Sequence, residues 1–270
     1  MYTPAQLQAL ANQHRRTIVE MIHTANAGHP GGSLSVIDLL TAIYATDVEI
    51  QASPRSRVIL SKGHAVPAQY AILHSLGVIA DEELKTLRQM DSRLQGHPCT
   101  HRLAEVDATT GLLGQGLSQG IGMAIAKRAT GDPNRVYVVC GDGEINEGQV
   151  WEAAQQAAHF GLSNLICIVD ENGLSSSGAT HEVMNNRDIQ QKFIAFGWQA
   201  ETIDGHDMSA ILAALARARS WQEGPYCIVA KTVKGKGISY MENNVAYHSS
   251  GIAGELYSKA LNDLDLLLER

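Results

Sequence analysis

Arg135-Val136-Tyr137-Val138-Val139-Cys140-Gly141-Asp142-Gly143 joins a β-branched apolar run to a glycine-flanked aspartate. Such a run reads as a buried strand. Gly-Asp-Gly at its carboxyl end lets the chain turn sharply at the edge where open α/β sheets bind ligands. The Asp142 carboxylate is therefore expected to point into a crevice. A second apolar run, Leu165-Ile166-Cys167-Ile168-Val169-Asp170, ends just before Asn172. Two parallel strands ending side by side would bring the Asp142 carboxylate and the Asn172 amide to one place, a pairing suited to a single magnesium ion. Magnesium held by few protein oxygens usually also holds a phosphate.

Outward from these strands, helices and strands alternate. Helical patterning covers residues 3–25 and 34–44, followed by a strand at 56–61 and a helix over 64–76. A helix at 81–89, an irregular region and a glycine-rich buried helix over 114–129 lead to the central strand. Helices at 147–160, 188–196 and 208–221 then connect strands at 165–170, 198–203 and 226–230. Strands separated by helix-length crossovers predict an α/β fold: a doubly wound, mainly parallel sheet with helices on both faces, one domain over residues 1–270.

Composition agrees, with 270 residues at 44% hydrophobic and 18% charged, enough to bury a full core. The polar start Met1-Tyr2-Thr3-Pro4-Ala5-Gln6 and the amphipathic stretch behind it lead to the expectation of no secretory leader, and no run in the sequence approaches a membrane span. Of the four cysteines, Cys140, Cys167 and Cys227 sit inside apolar strands and no C-x-x-C pair occurs, so the expectation is core thiols in a reducing, cytoplasmic setting. A net charge of −7 argues against nucleic acid as a main partner.

The common phosphate motifs are absent. Gly114-Gln115-Gly116-Leu117-Ser118-Gln119-Gly120 has Gln119 where a dinucleotide loop needs its third glycine, and it precedes a strand instead of following one. Lys234-Gly235-Lys236-Gly237 lacks the hydroxyl residue of a P-loop. His97 and His101 share the spacing of a helical zinc pair, but Pro98 argues against a helix there.

Four histidines draw more interest: His29, His64, His97 and His248, three of them directly after glycine. Taken singly, each reads as an ordinary loop residue. Taken together they suggest a site, because a histidine after glycine sits where the backbone can approach a ligand.

The strings Ala27-Gly28-His29-Pro30-Gly31, Leu60-Ser61-Lys62-Gly63-His64-Ala65, Thr109-Thr110-Gly111 with Leu113-Gly114-Gln115-Gly116, Gly141-Asp142-Gly143 with Glu147-Gly148, and Asn172-Gly173-Leu174 resemble those of the amino-terminal half of transketolases, in the same order. The resemblance runs across nearly the whole chain. It implies that Asp142, Asn172 and the carbonyl of Leu174 bind magnesium (with calcium or manganese as possible replacements), and that the diphosphate of thiamine diphosphate completes the octahedron. It further implies that Gly143 and His64 contact the diphosphate, and that the backbone from Gly111 to Leu113 approaches the aminopyrimidine. His29, His97 and His248 would face the substrate, although Ala246-Tyr247-His248-Ser249-Ser250 departs from the family's W-H-G string. Glu147 and Glu152 match glutamates that lie toward the subunit interface, and Glu147 falls within the cofactor motif itself. Lys231 and residues 234–236 read as a solvated loop near the site.

The implied reaction transfers a two-carbon ketol unit from a ketose phosphate to an aldose. The cofactor's thiazolium serves as electron sink, and histidines suit the accompanying proton transfers. The family's pyrimidine-binding and carboxyl-terminal domains are not in this sequence. The expectation is one subunit of a split transketolase, paired with a separate carboxyl-terminal subunit in an α2β2 assembly. The apolar residues of 256–268 suit either a docking helix or a core helix. Ser175-Ser176-Ser177-Gly178 and Thr100-His101-Arg102-Leu103 differ from housekeeping transketolases and raise a modified sugar phosphate as substrate. A noncatalytic binding or regulatory protein is the alternative from a different class; a deoxyxylulose phosphate synthase is disfavoured by Ser61-Lys62-Gly63-His64-Ala65.

Overall fold

The computed structural model describes residues 2–268; Met1, Glu269 and Arg270, the outermost positions of the expected 1–270 domain, lie outside them. Helix α1 (Pro4–Ala25) opens on a capping box, the Thr3 hydroxyl accepting from the Gln6 N–H while the Gln6 side chain accepts from the Thr3 N–H. α2 (Pro30–Asp47), β1 (Arg57–Leu60), α3 (Val66–Ser75) and the single turn α4 (Asp81–Leu84) follow. After an irregular stretch come α5 (Gln115–Ala129), β2 (Val136–Gly141), α6 (Gly148–His159) and β3 (Leu165–Glu171). α7 (Thr180–Val183), α8 (Ile189–Ala195), β4 (Gln199–Asp204), α9 (Met208–Ser220), β5 (Tyr226–Lys231) and α10 (Glu255–Leu268) complete the order.

The five strands form one sheet in the order β1-β2-β3-β5-β4, and every pairing is parallel. β5, last in sequence, is inserted between β3 and β4. Alternate residues serve opposite faces, as a pleated strand requires. Tyr137, Val139, Ile166, Ile168 and Ile228 join the core shared with α1, α2, α3 and α9. Val138, Cys140, Leu165, Cys167, Val169 and Cys227 join the core under α5, α6 and α8, so the three strand cysteines are fully buried. α5 approaches the sheet closely because Gly120 lacks a side chain; a Cβ there would lie 2.4 Å from Val138 Cγ2.

The elements differ from the sequence reading mainly at their ends. α2 begins at Pro30, four residues before the expected start, since proline suits the first helical position and tolerates the two glycines behind it. Residues 63–65 form a 3-10 turn ahead of α3. The helix expected at 81–89 stops after one turn. Arg88 and Asp91 both take φ of 63°, a left-handed conformation no α-helix continues through, and the Arg88 N–H turns back to the Leu94 carbonyl at 2.8 Å. α10 places Ala260 and Leu264 in the core against α1, tied by an Arg16–Asp265 ion pair, and leaves Leu256, Leu266 and Leu268 exposed. Among the described residues no helix is long and apolar enough to cross a membrane.

Candidate active site

The carboxyl ends of β1, β2, β3 and β5 meet around one cavity of about 180 Å³, lined by Lys62, His64, Leu113, Asp142, Asn172 and Lys234 among others. Asp142 follows β2 directly and is buried. Its Oδ1 accepts from the Gly143 N–H at 2.8 Å and its Oδ2 from the Gly173 N–H at 2.7 Å, which joins the two motif turns. Asn172 Oδ1 accepts from the Leu174 N–H at 3.2 Å, and the Asn172 amide points its nitrogen toward Asp170 Oδ2 at 3.4 Å. Asp142, Asn172 and the Leu174 turn thus stand together. Burial, and then the nearby negative charge of Asp170, push the Asp142 carboxyl up to about 6. A cation beside it would relieve both effects.

Two buried carboxylates beneath Asp142 organise the floor. Asp170 is ion-paired with Lys62 and also accepts from the Ser35 and Thr232 hydroxyls. Burial alone would raise its carboxyl, but Lys62 and these hydrogen bonds outweigh that and hold it below the ordinary range. Glu144 accepts from the N–H groups of Gly114 and Gly141, both at 2.9 Å, and from the Ser61 hydroxyl, which ties the starts of α5 and of the Gly-Asp-Gly turn together. Burial raises its carboxyl despite these donors.

The four histidines converge. His29 and His64 ring centroids lie 5.2 Å apart, His29 and His248 5.7 Å, His64 and His248 5.2 Å, and His29 and His97 6.4 Å. His29 stands at the N-cap position of α2 without a side-chain capping bond, and its Nδ1 is buried without a hydrogen-bond partner among the described residues. Burial lowers all four imidazoles, His29 and His248 to about 4, with further lowering from Arg88 on His29 and His97, Lys62 on His64 and Lys234 on His248. At neutral pH they are uncharged, each able to donate from one nitrogen and accept at the other. Gly111, at φ 122°, passes so close to His97 that a Cβ would lie 2.6 Å from its ring, so this position suits glycine alone. Leu113 lines the cavity, while the neighbouring Leu112 is 77% exposed at its rim.

One expectation changes. Lys234 is not solvated: it is 2% exposed, and its Nζ donates to the carbonyls of Leu174 at 2.8 Å and Ser175 at 3.1 Å and lies 2.9 Å from His248 Nδ1. Burial pulls this ammonium down to about 8. Lys231 and Lys236 do remain at the surface, paired with Glu171 and Glu242. Glu147 and Glu152 are exposed, Glu147 with its Cβ close against Gly114, and a further glutamate, Glu144, is turned into the site. Sequence reasoning missed Glu144, Asp170 and Lys234; Asp170 alone carried a signal, as a charged end to an apolar strand.

The sequence matches, over residues 6–260, the family model described as transketolase, thiamine diphosphate binding domain. The chain belongs to the transketolase family. Among its relatives, an apulose-4-phosphate transketolase subunit from Phocaeicola vulgatus is 35% identical, the match covering 98% of this chain and 95% of that one. A 6-deoxy-6-sulfo-D-fructose transketolase subunit from a Clostridium species is 38% identical, with 96% of each chain covered. Human transketolase is 35% identical over 96% of this chain, which spans 42% of the human one. The crystal structure of Campylobacter jejuni transketolase superposes with a TM-score of 0.90 at 33% identity, over 98% of this chain and 43% of that one.

Proposed function

We propose that this chain is the diphosphate-binding half of a split transketolase, dependent on thiamine diphosphate and magnesium and active with a separate subunit that carries the pyrimidine-binding half. The reading rests above all on the convergence of Asp142, Asn172 and the Leu174 turn beside the buried cations Lys62 and Lys234. The donor set fits the cofactor. One carboxylate, one amide oxygen and one carbonyl are hard oxygen ligands for magnesium, and the neighbouring lysines and His64 answer a diphosphate's charge. The near-complete length match to two subunits of transketolases named for apulose-4-phosphate and sulfofructose supports both the split and an anionic, modified sugar as substrate.

When bound, thiamine diphosphate supplies the electron sink for breaking the bond beside the donor's carbonyl. This chain's residues do the work on its own side of the site. Asp142 and Asn172 would hold the metal, and Lys234, which donates to the Leu174 and Ser175 carbonyls, would offer its ammonium to the diphosphate. His29 and His248, uncharged at neutral pH, accept the donor's hydroxyl proton and return one to the acceptor, and His97 donates to the two-carbon unit. Residues 1–270 then form one functional domain, with Glu147 and Glu152 directed to a neighbouring subunit in an α2β2 assembly.

Calorimetry with thiamine diphosphate and magnesium tests this, using the chain alone and mixed with the product of an adjacent transketolase-like gene. A ketol-transfer assay over phosphorylated and sulfonated ketoses follows. Binding and transfer are expected in the mixture; absence of binding in both samples overturns the reading. Binding without transfer to any acceptor points instead to a noncatalytic, cofactor-binding protein.

A further inference from the structure

The loop at 232–237 that carries Lys234 is held from behind, on the side away from the cavity. The Val233 N–H donates to His206 Nε2 at 2.8 Å, and His206 Nδ1 lies 2.7 Å from Asp38 Oδ2. A backbone N–H only donates, so Nε2 is the acceptor and the ring proton sits on Nδ1, donated to Asp38. Asp38 is fully buried and grips the Arg15 guanidinium through both oxygens, with Gln8 adding a bond at 3.1 Å. Arg15 in turn donates from Nε to the Lys236 carbonyl at 3.3 Å. Two backbone groups flanking Lys234, one on each side, therefore end on a single buried carboxylate of α2. His206 is itself fixed at the β4–α9 turn, where its N–H donates to Asp204 Oδ1 at 2.8 Å.

Lys234 needs such support. Among the described residues it has no carboxylate within ion-pairing distance, and its buried ammonium is satisfied only by two carbonyls and one imidazole. An ammonium held by geometry alone keeps its place only if the backbone beneath it is rigid, and preorganisation of that kind raises affinity for a charged ligand.

We propose that Arg15, Asp38 and His206 are positioning residues that set the Lys234 loop, with the neutral His206 ring as the link between the buried Asp38 carboxylate and the backbone next to Lys234. The proposal rests on the reading that Lys234 meets the cofactor diphosphate. Removing the link frees the backbone before Lys234 without touching any group in the cavity. Its effect must therefore vanish when the lysine is gone.

The test is a double-mutant cycle on the assembled two-subunit enzyme, reading thiamine diphosphate affinity by calorimetry with magnesium present. His206→Phe and His206→Ala are made in parallel, alone and with Lys234→Met. Each single His206 variant is expected to bind about tenfold more weakly, a factor of the size one such hydrogen bond supplies. His206→Gln, whose amide can donate to Asp38 and accept from Val233, restores affinity to within about twofold. In the Lys234→Met background the same His206 changes have no further effect. Equal losses in both backgrounds, unchanged affinity in the single variants, or failure of both His206 variants to fold would each assign the histidine to general stability and overturn the proposal. Wild-type enzyme that binds no thiamine diphosphate removes the functional reading and the proposal with it; unchanged binding in the variants of a binding wild type removes the proposal alone.

Discussion

The floor of the cavity and its rim are built on opposite terms. On the floor every charged group has fixed partners: Asp170 with Lys62 and two hydroxyls, Glu144 with two backbone N–H groups, Asp142 with two more. At the rim, Leu112, next to the cavity-lining Leu113, is 77% exposed, and the buried His29 Nδ1 has no partner among the described residues. Burying charges is costly unless each is paired or hydrogen-bonded, so the floor is tied together internally, while Asp142 and Glu144, hydrogen-bonded but without an ion pair among the described residues, have their carboxyls raised by burial. Large apolar side chains left open beside unsatisfied polar atoms are surface awaiting contact. The chain thus ties the floor of its cavity together by its own residues and leaves Leu112 open at the edge.

The sharpest way to break this contrast is Asp170→Ala, which strands the Lys62 ammonium in the floor. A loss of about 3–5 kcal/mol is expected in urea unfolding, and a variant as stable as wild type would mean that the floor is not closed. A buried polar cluster away from the cavity gives the control. His14 lies between Thr41 Oγ1 at 2.9 Å and Ser75 Oγ at 3.0 Å, and burial, chiefly, lowers it from 6.5 to about 4. The folded protein keeps it neutral while the unfolded chain takes up a proton below about pH 6.5. Stability therefore falls as pH drops from about 6.5 to about 4, by about 3 kcal/mol. His14→Asn should reduce that slope in thermal melts by its own share, the lowered His29, His64, His97 and His248 contributing the rest, and a slope unchanged from wild type removes His14 from the linkage. Asp142→Ala should weaken magnesium-dependent thiamine diphosphate binding by the two-subunit enzyme at least about 100-fold, since changes to a ligand's mere neighbours already cost that much in other metal sites. Calorimetry showing unchanged affinity would remove Asp142 from the metal. At the rim, Leu112→Ser is expected to alter the chain's own stability by no more than about 0.5 kcal/mol, yet to weaken association with the partner subunit in sedimentation. Equal association would place the interface elsewhere.

The contrast also marks what a sequence can carry. The strands around Asp142 and Asn172 are legible because β-branched runs and glycine turns are local signals, and the family strings add the histidines. Lys234 reads wrongly as solvated because charge patterning reports composition, whereas its burial follows from β5 being threaded into the sheet beside β3. Lys62 and Asp170 lie 108 positions apart, and their strands are not even neighbours; β2 runs between them. No local pattern states that Lys62 reaches past Gly141 to the far strand. Glu144 and Glu147 differ by one turn of chain, and the 3-10 turn at Glu144–Asn146 sends the first inward and leaves the second outside.

The position of β5 also sets an order of events during folding. β4 touches no strand except β5, so residues 199–204 have nothing to pair with until residues 226–231 arrive. The same arrival carries Lys234 to the cavity and lets Thr232 reach Asp170. A ribosome that has released the chain only as far as α9 exposes a three-stranded sheet with a loose fourth strand, its Asp170 paired with Lys62 but lacking Thr232. Closing the sheet and bringing Lys234 to the cavity are therefore coupled, both waiting on β5, and non-local pairing of this kind is what slows a parallel fold.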